Sequence, residues 1–161
     1  GGRRSPRQAG VYALEYALVF PIFFLILYAI ISYGLAFTMR LSLQYAAEEG
    51  ARAALQYRST GAQRLQNAEA ATRTALVWIP SSRVTVSGQI CRRGAAAICW
   101  SGVGATPDCT RISPTESCSV EIRVVYDYSA FPIAPSLPGM GFIMPSELVG
   151  RASTLLERGL L

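Results

Sequence analysis

At 161 residues, 51% of them apolar and only 16% charged, the chain suits one small domain with a membrane anchor and falls short of the roughly one-quarter charge of ordinary soluble domains. Its formal charge of +5 does not make it a nucleic-acid binder: all 15 basic residues are Arg, Arg3, Arg4 and Arg7 crowd the first ten positions, and the rest form no basic stripe interleaved with aromatics. His and Lys are absent and no GxSxG, HExxH, P-loop or paired-carboxylate motif occurs, so Ser–His, Cys–His and Ser–Lys dyads are impossible and neither enzyme activity nor a cofactor is expected.

A basic leader, 1–10, opens the chain. Residues 16–39 follow as a run of 24 without a charge. As a helix this run reaches about 36 Å, enough for the roughly 30 Å hydrocarbon layer. It is longer than the apolar core of a cleaved signal peptide, and no small-residue cleavage site follows it promptly. The three leader arginines outnumber Arg40 on the other flank, which puts the N-terminus in the cytoplasm and the C-terminal part in the periplasm or outside the cell. Pro21 lies inside the run, where it removes one backbone donor and kinks the helix.

The boundary between leader and run reads Gly10-Val11-Tyr12-Ala13-Leu14-Glu15-Tyr16. A carboxylate at the edge of an apolar run is costly unless it is hydrated at the headgroups or paired. Glu15 and Tyr16 are the fifth and sixth residues after Gly10, and the motif continues Ala17-Leu18-Val19-Phe20-Pro21. This resembles the class III signal of type IV pilins, and the Glu-Tyr pair looks like its Flp/Tad branch. With Glu48-Glu49-Gly50-Ala51-Arg52-Ala53-Ala54 further on, the chain is similar to the TadE-like family of pilus assembly proteins. The resemblance implies a minor pilin or pseudopilin in the bacterial inner membrane. It implies cleavage by a prepilin peptidase between Gly10 and Val11, and an assembly contact at Glu15 and Tyr16. It also implies pilin-type subunits, the pilus assembly platform and membrane lipid as partners. The competing expectation is a stand-alone, membrane-anchored periplasmic binding or adhesion module.

The helical pattern runs on without a strong breaker, so the anchor helix is expected over 11–58. Ala46, Gly50 and Ala54 share a four-residue spacing, as do Ala47 and Ala51. Such stripes permit close helix approach, although Ala is also simply a good helix former. Ser59-Thr60-Gly61 is a break, and 62–78 reads as a second helix with Leu65, Ala68, Thr72, Ala75 and Leu76 on one side. A loose strand is expected over 83–90. The stretch 91–118 is rich in Gly, Ser, Thr and Pro and reads as a loop. The clearest strand is 119–128, where Val120, Ile122, Val124, Tyr126 and Tyr128 alternate with more polar residues. An apolar, Pro-rich loop and a last strand over 146–156 complete the chain.

Cys91, Cys99, Cys109 and Cys118 lack the CxxC spacing of a zinc ribbon, so no metal is expected. Four buried thiols in a reducing compartment would fit the count. In an exported loop an even number reads as two disulfides. Four cysteines allow three pairings, and short separations favour Cys91–Cys99 with Cys109–Cys118. The fold class is therefore α+β: a long, pilin-like N-terminal transmembrane helix, a second helix and a small antiparallel β-sheet, with 59–161 as the extracytoplasmic domain. On this topology an alkaline phosphatase fused to the C-terminus is expected to be active. An inactive fusion, with a cytoplasmic reporter active at the same place, reverses it.

Overall fold

A computed structural model describes residues 9–56, 60–94, 96–102, 109, 116–134 and 145–156. The leader arginines Arg3, Arg4 and Arg7, most of the Gly- and Ser-rich loop, and the apolar Pro-rich loop from 135 to 144 lie outside the described residues. Helix α1 spans Ala9–Ala53 and helix α2 Gly61–Ala75. A short 3-10 turn at Ser81–Arg83 leads into strand β1, Val84–Arg93. Strands β2 (Ile98–Trp100), β3 (Ser117–Asp127) and β4 (Glu147–Leu156) follow. The chain forms two compact units, Gly1–Phe37 and Thr38–Leu161.

The first unit contains the apolar part of α1. Tyr12–Ala53 is, among the described residues, the one helix long and apolar enough to cross a membrane. Helix α1 begins at Ala9 and continues through Pro21. It stops at Ala53, short of the expected Arg58, because Ala54 to Gln56 turn away with Leu55 and Gln56 bonded back to Arg52 and Ala53.

In the second unit the strands form one antiparallel sheet in the order β2-β1-β3-β4. The register aligns Val84 with Tyr126 and Leu148, Val86 with Val124 and Gly150, and Ile90 with Val120 and Thr154. This is the apolar face legible in the alternation of β3, and Val120, Ile122 and Val124 on it are fully buried. Each such side chain contributes about 1.5–3 kcal/mol by leaving water. The segment expected to be a loop after Cys91 instead begins as strand: β1 runs on to Arg93 and a short β2 pairs with it. Gly and Ser lower strand propensity there, but cross-strand pairing overrides it.

Disulfides join Cys91 to Cys99 and Cys109 to Cys118. Cys91 and Cys99 are directly opposed in the β1–β2 register, so that bond holds the three-residue β2 against β1. Closing loops of this length stabilises by about 2–3 kcal/mol each where unstrained.

The C-terminal part of α1 and the buried side of α2 pack on the apolar face of the sheet. Thr60 caps α2, its hydroxyl accepting from the Gln63 amide at 3.2 Å, a contact worth about 1 kcal/mol. The buried face of α2 carries Leu65, Ala68 and Thr72 as expected, with Arg64 added. Small residues on α1 meet this layer: Ala46, Ala47 and Ala54 are fully buried. A Cβ on Gly50 would collide with Thr72 Oγ1 and sit 2.9 Å from the Ala68 carbonyl. The stripe Ala46, Gly50, Ala54 thus serves close packing inside this chain. On β4, a Cβ on Gly150 would strike the Leu43 carbonyl and come within 2.8 Å of the Gln44 amide nitrogen.

Gly50→Ala is therefore expected to lower stability by about 1–3 kcal/mol through overpacking. Adding Thr72→Ala, which removes the colliding hydroxyl, should recover part of the loss. Thermal unfolding of the full chain in detergent micelles measures both, and an additive double variant would contradict the contact.

Candidate functional site

Two places in the molecule carry features beyond ordinary packing: the N-terminal turns of α1, and the junction where α1 ends on α2. The first contains the residues singled out from sequence. Gly10 and Val11 lie in the backbone of α1, which starts at Ala9. A protease acting between them meets the first turn of the helix, whose amides lack intrahelical acceptors and whose opening costs little. The sequence reading put that bond ahead of the helix, at the end of the basic leader, whereas α1 already begins at Ala9.

Glu15 and Tyr16 follow in the next turn, both exposed in this chain. Among the described residues no hydrogen bond or ion pair engages the Glu15 carboxylate. Its place is four residues, about 6 Å of helix rise, beyond Val11. The arrangement leaves Glu15 available to hydration or to a group brought by another molecule.

Tyr16 also begins a row of rings that sequence reasoning missed. Tyr16 stacks on Phe20 with centroids 5.4 Å apart, Phe20 on Phe24 at 6.2 Å and Phe24 on Tyr28 at 6.3 Å. The signal was present as four aromatics at a four-residue spacing, which places them on one helix face. Pro21 cannot donate to the Ala17 carbonyl. The Tyr16–Phe20 and Phe20–Phe24 pairs span that gap and hold the helix together across it. Each stacked pair adds about 0.5–1.5 kcal/mol.

At the other end of α1 the last carbonyls need donors, and α2 supplies them. Arg64 Nη1 donates to the Ala54 carbonyl at 2.9 Å and Asn67 Nδ2 to the Ala53 carbonyl at 3.2 Å. Arg64 is fully buried, and desolvation lowers its pKa from the ordinary guanidinium value. It stays cationic at any physiological pH, facing the negative end of the α1 macrodipole. From sequence Arg64 is one of the scattered arginines, and nothing in the Ala- and Gln-rich helix it shares with Arg73 gives a sign of burial.

The cysteines lie on the β2 side of the sheet and at the start of β3, where they staple the domain.

If the ring row secures the helix across Pro21, Phe24→Ala should speed amide exchange of residues 17–24 by up to about tenfold. Leu35→Ala, away from the row, should leave those amides unchanged. Hydrogen exchange of the full chain in micelles, read by mass spectrometry, makes the comparison.

A family model described as TadE-like protein matches residues 10–52. The matched segment opens at Gly10 and closes at Arg52 of the Gly50-Ala51-Arg52 element, so it holds both motifs on which the resemblance rests. No curated protein and no solved structure matches the chain.

Proposed function

We propose that this chain, TadE-like over 10–52, is a minor pilin-like subunit, a pseudopilin, of a Tad/Flp pilus assembly or secretion machine. The observation that carries the reading is the coincidence of the TadE-like match with a continuous helix that is apolar enough to cross a membrane. The part played is structural: the subunit sits in the bacterial inner membrane with its α+β domain in the periplasm and does no chemistry of its own. Its partners are lipid, other pilin or pseudopilin subunits, the assembly platform and a prepilin peptidase.

Processing and assembly follow from the first turns of α1. A prepilin peptidase approaches the Gly10 backbone closely because no side chain stands there. Hydrolysis between Gly10 and Val11 removes the basic leader and leaves a cationic amine on Val11. Inside an apolar bundle of helices an unpaired amine is costly, and a carboxylate from a neighbouring subunit offsets that cost. Glu15 sits about one turn along the helix from that amine. Two parallel copies of such a helix, shifted by about that rise, bring the amine of one beside Glu15 of the other. Tyr16, next to Glu15 and stacked on Phe20, gives the contact a stiff apolar border.

Gly10→Val is expected to abolish cleavage, since a β-branched side chain crowds the scissile backbone. Glu15→Gln should leave cleavage intact and lower recovery of partner subunits on the order of a hundredfold, the loss typical of removing one member of a buried ion pair. N-terminal sequencing and co-purification from membranes, with and without the peptidase, read the two steps separately. Normal partner recovery with Glu15→Gln would leave Glu15 as a residue hydrated at the membrane surface.

A further inference from the structure

The sheet has two margins, and at each a helix side chain reaches the backbone of one strand residue. On the β4 edge, Gln44 of α1 closes both backbone groups of Arg151: its Nε2 donates to the Arg151 carbonyl at 2.9 Å, and its Oε1 accepts from the Arg151 amide at 3.1 Å. On the β1 edge, β2 covers only Ile90, Cys91 and Arg92. The Gly88 amide next to it donates to Glu69 Oε1 of α2 at 3.0 Å. That bond shows which way the Gly88 amide points, namely out of the sheet. Alternate residues of a strand point their backbone groups to the same side. Val84 and Val86 therefore also present N–H and C=O outward, and among the described residues nothing pairs with them.

Beside these unpaired groups, whose residues are otherwise buried (Val84 8% and Val86 7% exposed), is an apolar groove of about 310 Å³. Leu76, Val77 and Ile79 from the turn that follows α2 form one wall, and Val84 and Val86 the other. Val77 is 84% exposed and Trp78 next to it 60%, two large apolar residues side by side just after a polar helix. The rim is cationic. Arg73 borders the groove, and Arg83 lies just before β1, its guanidinium 4.8 Å from the Phe131 ring centre.

We infer that the Val84–Val86 edge of β1 binds an extended, acidic-flanked segment of a partner polypeptide as an added strand. The backbone of that segment completes the hydrogen bonds that Val84 and Val86 leave open. Its alternate apolar side chains fill the groove against Leu76 and Ile79, and an acidic residue meets Arg73. Strand addition to a sheet edge uses this division of labour, main chain for affinity and alternate side chains for selectivity. An unguarded edge of this kind otherwise invites uncontrolled pairing; elsewhere on the sheet margins side chains close single positions, Gln44 at Arg151 and Glu69 at Gly88. The inference rests on the sheet edge alone and stands or falls apart from the processing of Gly10.

The test uses the full chain in detergent micelles and a fluorescein-labelled peptide of alternating Val and Thr with Asp at each end. Two further probes are the same peptide with alternate backbone amides N-methylated and a version with Lys at each end. Fluorescence anisotropy is expected to show binding of the Asp-flanked probe and a loss of about tenfold or more on N-methylation. Arg73→Glu, on the exposed side of α2, should reverse the order of the Asp- and Lys-flanked probes. Failure of the folded wild-type chain to bind the Asp-flanked probe overturns the inference. So does equal binding of the N-methylated probe, which would mark a non-specific apolar patch. An unchanged charge preference in Arg73→Glu overturns it as well.

Discussion

Backbone can touch backbone across a helix–sheet layer only where side chains are missing, and this constraint organises the domain. At Gly150 the main chain of α1 lies directly on β4, and at Gly50 the same helix lies directly on α2. Those two approaches bring Gln44 within reach of the Arg151 backbone. They also bring the end of α1 within reach of Arg64 and Asn67. The helix is thereby fixed at three kinds of contact, namely steric, amide to backbone, and cation to helix terminus. Loss of a glycine would push α1 outward and lengthen the hydrogen bonds that depend on its position.

Burying Arg64 is costly when considered alone, since a desolvated guanidinium is penalised unless its donors are used. Here the cost is met by an acceptor that also needs a partner. The final carbonyls of a helix have no acceptor role inside it, and they carry the negative end of its dipole. A buried cation at that place gives the Ala54 carbonyl a donor and lies at the negative end of the dipole. The result is a hydrogen-bonded joint at the end of a helix whose first turns, from Tyr12 to Leu27, are exposed. That first part has its own reinforcement. The Tyr16, Phe20, Phe24 and Tyr28 rings stack across the hydrogen bond that Pro21 removes, so the helix passes a residue that ordinarily breaks it.

The sheet in turn depends on covalent help at one margin. A three-residue strand is too short to hold itself in place by pairing alone. The Cys91–Cys99 bond joins residues already opposed in the register, which makes β2 a permanent but short border. Because β2 is short, the outward backbone groups at Val84 and Val86 remain next to the apolar turn that follows α2.

Much of this molecule is written locally. The 24-residue uncharged run, the Arg-rich leader and the Gly10-to-Glu15 spacing are one-dimensional signals, because each depends on composition or on neighbours within a few residues. The alternation of Val120, Ile122, Val124 and Tyr126 likewise announces a half-buried strand, and the even cysteine count in an exported loop announces disulfides. What only the tertiary structure decided concerns groups whose partners are distant in sequence. Arg64 looks like any surface Arg until Ala54 is beside it. Gly150 looks like a weak point in a strand until the α1 backbone lies on it. The extension of β1 past Cys91 runs against local propensity, since Gly, Ser and Ala surround it. Pairing with Ile98, Cys99 and Trp100 on one side, and with Ser117 to Val120 on the other, supplies the hydrogen bonds that make it a strand. The reason is the same in each case: helix and anchor signals depend on residues a few positions apart, whereas burial, capping and edge exposure depend on which elements the completed fold places side by side.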